Sequence, residues 1–107
     1  IDGVLVPLTG IKDISKTPLT FELKQIYPNP FNPVSIISFS LPSNESVTLE
    51  IYNIHGQKIY EILNKKVLRA GIHHYKFDGS SLPSGIYFYK INAGNRFQAV
   101  RKMAQLK

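Results

Sequence analysis

At 107 residues, 43% of them hydrophobic, the chain is long enough for one domain with a modest core and short for two. It has no cysteine, which excludes a disulfide framework and thiolate metal sites, and its uninterrupted apolar runs are too short to form a membrane-spanning segment. The net charge of +6 is unevenly placed: residues 1–57 carry three Lys/Arg against five Asp/Glu, and residues 58–107 carry ten against two, giving −2 and +8. A basic half admits nucleic acid, an anionic glycolipid or an acidic protein surface as partner. The cations are scattered apart from Lys65-Lys66 and Arg101-Lys102, with no aromatic-basic interleaving, so nucleic acid is not expected.

Residues 1–18 differ from the rest. IDGVLV reads as the last strand of a preceding domain, and PLTGIKDISKTP has the mixed composition of a linker. With Ile1 at its start and no signal peptide, the chain is expected to be the C-terminal piece of a longer protein. The domain proper is expected over 19–107.

TFELKQI (20–26) directs Phe21, Leu23 and Ile26 toward a core. YPNPFNP (27–33) follows, with three prolines and two asparagines in seven positions. Each proline fixes its own φ, lacks an amide donor and biases the residue before it toward extended geometry. The segment therefore reads as a stiff corner, with Tyr27 and Phe31 as apolar pegs.

VSIISFSL (34–41) alternates, with Ile37, Phe39 and Leu41 on one face and serines on the other, and SVTLEIYNI (46–54) does the same with Val47, Leu49 and Ile51. His55-Gly56 predicts a two-residue hairpin turn into QKIYEIL (57–63). NKKVLRAG (64–71) reads as a basic connection. IHHYKFD (72–78) places His73, Tyr75 and Phe77 on one face, GSSLPSG (79–85) is a turn cluster, and GIYFYKI (85–91) directs Tyr87, Tyr89 and Ile91 to one side. Ala93-Gly94-Asn95 turns the chain into RFQAVRKMAQL (96–106). Seven short strands separated by turn signals, without an amphipathic helix, predict an all-β fold: an immunoglobulin-like antiparallel β-sandwich.

No catalytic constellation emerges. His73 and His74 are strand neighbours that point to opposite faces, so one packs at the core edge and the other faces water. The serines lack a GxSxG context, and the carboxylates are too few and too separated for a glycosidase pair or a calcium loop. The chain is expected to be no enzyme, with no metal and no cofactor. The middle ring of Tyr87-Phe88-Tyr89 faces opposite to its neighbours, which leaves an exposed aromatic able to stack on a sugar.

Taken in order, YPNPFNP (27–33), SIISFSLP (35–42), VTLEIYNIHGQKI (47–59), AGIHHYKFDG (70–79), LPSGIYFYKI (82–91) and the basic tail RKMAQLK (101–107) resemble the type A C-terminal sorting domain of the type IX (Por) secretion system of Bacteroidetes-related bacteria. The resemblance covers about residues 21–107. Tyr27, Pro28, Asn29, Pro30, Phe31, Asn32 and Pro33 match the opening motif. Gly56 and Gln57 match the middle hairpin, Gly85, Ile86 and Tyr87 the third block, and Lys102, Met103 and Lys107 the basic tail. Phe77-Asp78-Gly79 stands where many relatives have Trp-Asp-Gly, and the 79–85 loop is short.

The resemblance implies an address rather than an enzyme. Such a domain rides behind an N-terminal cargo domain, passes through the periplasm and is recognised by the outer-membrane translocon. A surface sortase then usually cuts the cargo free, leaving it at the cell surface or secreted. A cut is expected in the segment from Thr9 to Thr20, N-terminal to the corner. Two other readings of the residues stay open: an accessory module that binds polysaccharide or braces a catalytic domain, and an appendage piece that assembles through its unpaired last strand.

Overall fold

The computed structural model describes residues 19–106. The expected linker (1–18), most of the expected cleavage segment, and Lys107 lie outside these residues. Among the described residues the chain forms seven strands and no helix: β1 (Glu22–Leu23), β2 (Val34–Leu41), β3 (Glu45–Tyr52), β4 (Lys58–Leu68), β5 (Gly71–Asp78), β6 (Gly85–Ala93) and β7 (Phe97–Gln105). They make two antiparallel sheets, β1-β2-β5 and β4-β3-β6-β7. This is the expected immunoglobulin-like sandwich, with its fourth strand paired beside β3 rather than in the sheet of β1 and β2.

The alternating residues build the core. Ile37, Phe39 and Leu41 of β2 meet Val47, Leu49 and Ile51 of β3 and Tyr89, Ile91 and Ala93 of β6, all fully buried. Each large side chain so buried contributes about 1.5–3 kcal/mol against the conformational entropy of the chain. On β5, His73 and Tyr75 stack against Phe39 at 5.4 and 5.9 Å between ring centroids. His74 points the other way and meets the Ser38 hydroxyl at 2.7 Å on the exposed face. The two histidines therefore do not converge.

Local readings changed where pairing overrode pattern. The predicted strand at 20–26 contracts to Glu22–Leu23, yet Leu23 and Ile26 are both buried, three positions apart where a continuous strand would turn them to opposite faces. The turn after β3 holds three residues, not two. The Gly56 amide donates to the Asn53 carbonyl, the Asn53 amide to the Gln57 carbonyl, and Gly56 takes φ 78°. A type I turn closed by a left-handed glycine fits this pattern. Asn53 reinforces it, since its Oδ1 accepts from the amides of His55 (2.9 Å) and Gln57 (3.0 Å).

The predicted connection at 64–71 is mostly strand: β4 continues to Leu68 and pairs with the start of β3. Irregular pairing along β3 and β4 absorbs the extra residues, with Lys65 at φ 51° and its amide bound to Thr48 Oγ1. Polarity hid this strand. As a sheet edge, β4 needs few apolar residues, and its charges discourage pairing with another chain.

One side chain ties the N-terminal segment to the core. The hydroxyl of Tyr89, fully buried, donates to the Lys24 carbonyl (2.7 Å) and accepts from the Ile26 amide (3.0 Å). Burial pushes its pKa up to about 12. An unfolded tyrosine ionises near pH 10, so above that pH the unfolded chain loses the proton first and stability falls, by up to about 1.4 kcal/mol per pH unit. Tyr89→Phe should cost about 1–3 kcal/mol at pH 7 by orphaning the Lys24 and Ile26 groups. Urea unfolding of the variant from pH 9 to 11 should fall less steeply with pH than that of the native chain. Equal slopes would remove Tyr89 as the alkaline trigger.

Candidate functional site

Antiparallel order places the starts of β2, β4 and β6 and the ends of β3, β5 and β7 at one end of the sandwich. The proline corner precedes β2, the Asn53–Gln57 hairpin joins β3 to β4, and the 79–84 loop joins β5 to β6. Sequence blocks that lie up to eighty residues apart thus share a single pole.

The corner is bonded to both sheets. Tyr27 pairs with Ile36 through both backbone groups (3.3 and 3.1 Å), Ser35 Oγ donates to the Pro28 carbonyl (2.8 Å), and the Gly79 amide donates to the Pro33 carbonyl (2.9 Å). Toward β7, the Phe31 amide donates to the Ala104 carbonyl, and the Leu106 amide to the Phe31 carbonyl, each at 2.9 Å. Asn29 Oδ1 accepts from the Ala104 amide (3.1 Å). The peptide bonds before Pro28, Pro30 and Pro33 are cis.

Of the two expected pegs, only Phe31 is one. It is buried to 1% and packs edge-on against Phe77 at 5.9 Å. Tyr27 is 81% exposed, because its backbone bridges to Ile36 while its side chain leaves the surface.

Behind Phe31 lies a polar clasp that the sequence did not announce. Gln105, fully buried, donates through Nε2 to the carbonyls of Gly79 (2.7 Å) and Leu82 (3.1 Å). A Cβ on Gly79 would stand 2.1 Å from Gln105 Oε1 and 3.2 Å from Phe31 Cε2. Glycine is needed there for close approach, not for an unusual φ. The only available signal was the position of Gly79 after Phe77-Asp78. Asp78 shapes the same loop: its carboxylate accepts from the Ser80 amide (2.9 Å), which holds its pKa below the usual carboxylate range.

The remaining motif residues fall into two groups. Gly56, Gln57, Gly85, Ile86 and Lys102 are exposed. Tyr87 is buried with its hydroxyl on the Pro83 carbonyl (2.6 Å), and Met103 is buried to 1% in the core. Lys102 offers its carbonyl to Gln25 Nε2 (3.0 Å) and leaves its ammonium outward. Between the hairpin and the start of β6 lies an open, mainly apolar cleft of about 330 Å³, lined by residues that include Ile54, Ile59, Leu82 and Tyr87. Among the described residues no group of His, Asp and Glu side chains converges as a metal site would require.

These features define a small β-sandwich whose sequence motifs serve one rigid end, the form of a module that is recognised. The family of secretion-system C-terminal sorting domains matches residues 25–105, and the chain belongs to it: it carries a C-terminal sorting domain of type IX secretion. No curated protein matches the chain.

Phe31→Ala should destabilise the domain by about 3–5 kcal/mol. Gly79→Ala should cost about 1–3 kcal/mol by forcing the Gln105 amide off its carbonyls. Urea unfolding of both variants beside the native chain checks this. A Gly79→Ala variant as stable as the native chain would show that the clasp yields without cost.

Proposed function

We propose that the folded domain is the address by which a preceding cargo domain leaves the periplasm, read by the outer-membrane translocon of type IX secretion. A surface sortase then cuts on the N-terminal side of the corner, and the cargo reaches the cell surface or the medium. The domain itself is no enzyme and needs no cofactor.

The observation that carries this reading is the convergence of the motif blocks on one pole. A receptor that serves many cargoes has to read something independent of them. A corner fixed by prolines and bonded to two sheets loses little entropy on docking. Its bonds to β7 also join the first and last segments of the domain, so a truncated or unfolded signal presents no complete pole.

The test fuses a periplasmic signal peptide and a fluorescent reporter in front of the 107-residue chain, in a bacterium with type IX secretion and in its translocon-deficient mutant. Reporter at the surface or in the medium only when the translocon is present is the expected result, and the mass of the released reporter locates the cut. Equal periplasmic retention in both strains, with the domain folded, would instead favour an accessory module, to be tested by polysaccharide pull-down. Lys102→Glu with Lys107→Glu should lower export several-fold with stability changed by no more than about 1 kcal/mol, the range of exposed charge changes.

A further inference from the structure

The outer face of the four-stranded sheet carries a pattern that core packing does not explain. Register places Lys58, Tyr52, Phe88 and Lys102 in one row across β4, β3, β6 and β7. The next row reads Glu61, Glu50, Lys90 and Val100. Because Ile51, Tyr89 and Met103 point into the core, their neighbours in these rows point out. Tyr52 and Phe88 are half-buried, and Val100 is 53% exposed.

The charges on this face separate into spent and unspent groups. Glu50 accepts from the Tyr52 hydroxyl (2.8 Å) and meets Lys58 Nζ at 3.4 Å, and Lys58 also reaches Glu61 at 3.5 Å. Lys90 and Lys102 make no ion pair among the described residues. Lys90 Nζ lies 5.6 Å from the centroid of the Tyr52 ring, a cation–π contact that holds the ammonium over an apolar floor. Tyr52, Ile54, Gly56, Phe88, Lys90 and Val100 contribute to an open cleft of about 300 Å³, next to the motif hairpin.

We propose that this face docks an acidic, extended peptide segment of a protein partner, with carboxylates on Lys90 and Lys102 and apolar side chains against Phe88, Val100 and Ile54. The inference deepens the reading of the domain as an address by assigning the chemistry of the surface that reads it. Charge complementarity selects an acidic occupant: Lys90 and Lys102 sit diagonally on β6 and β7 beside Phe88 and Val100 and make no ion pair, while Glu50 and Glu61 lie on the far side of Lys90, on β3 and β4, and share Lys58. A protein fits better than a sugar because the Lys90 ammonium lies over the Tyr52 ring and Glu50 holds its hydroxyl, which takes one face of that ring and its polar handle from a sugar. The alternation of cation and apolar group across the strip suits a peptide that alternates acidic and apolar residues.

The 107-residue chain, labelled with ¹⁵N, is titrated with a short acetylated peptide alternating glutamate and leucine, with its lysine-for-glutamate counterpart, and with an oligogalacturonate. The glutamate peptide should shift the amides of Tyr52, Phe88, Lys90, Val100 and Lys102, with binding weakened roughly tenfold between low and high salt. The double variant K90E/K102E should lose that binding while keeping a native spectrum elsewhere. In the reporter assay it should lower export at least tenfold, whereas K65E/K66E, the same charge change near the opposite end of the sandwich, should not. No shift with millimolar glutamate peptide, equal binding of the lysine peptide, or binding of the oligogalacturonate alone would overturn the proposal. Translocon-dependent export by the native chain together with full export of K90E/K102E would overturn this face while leaving the sorting reading intact.

Discussion

The pole depends on Phe31. Its ring fills the space between the two sheets beside Phe77, while its own amide and carbonyl are tied to the end of β7. One residue thereby does two physically different things: it buries a large apolar surface, and it gives backbone partners to the outer edge of the last strand. An aromatic anchor alone would leave the corner free to swing, and two backbone bonds alone would be exposed to competition from water. Together they hold the proline segment against both sheets.

Around that anchor the N-terminal segment runs beside β7 as a strap. Arg101 Nε donates to the Leu23 carbonyl, Gln25 to the Lys102 carbonyl, the Ala104 amide to Asn29, and the Phe31 backbone pairs beyond them. Over Arg101–Leu106 the strap covers the edge that an appendage-type assembly would need, in the way sandwiches commonly blunt their edges. The second half of the last strand is therefore guarded by more than the charges of Arg101 and Lys102, while the strap bonds do not reach its first half, Phe97 to Val100. Tyr89 secures the other end of the strap from inside the core.

Two kinds of surface result, and they suit different tasks. The pole is rigid, rich in proline and glycine, and shaped by buried groups such as Gln105 and Met103 that a partner cannot touch. Their place in the motif blocks is thus as supports of the shape. The outer sheet face beside it is flat, mixed in polarity and partly unpaired in charge. Membership of the sorting-domain family gives both surfaces a context, since a sorting signal is a part of the chain that is recognised.

The sequence by itself determined which residues of β2, β3, β5 and β6 face the core, because side chains of a strand alternate between its faces, with β2 departing from that pattern of burial at its end, where Ser40 is buried as well as Phe39 and Leu41. It also determined that the proline segment is a corner, since three fixed φ angles and three missing donors leave it no other form. Its ordered motif blocks carried the family likeness as well. Tertiary structure alone decided where β4 ends, because an edge strand is specified by its neighbour's backbone rather than by its own apolar pattern. It alone decided that Phe31 enters the core while Tyr27 stays in water, a matter of which way an irregular backbone turns each side chain. Only folding could bring Gly79, Gln105 and Phe31 within contact, or align Lys58, Tyr52, Phe88 and Lys102 in one row. Those juxtapositions join residues far apart in the chain, and nothing local encodes them.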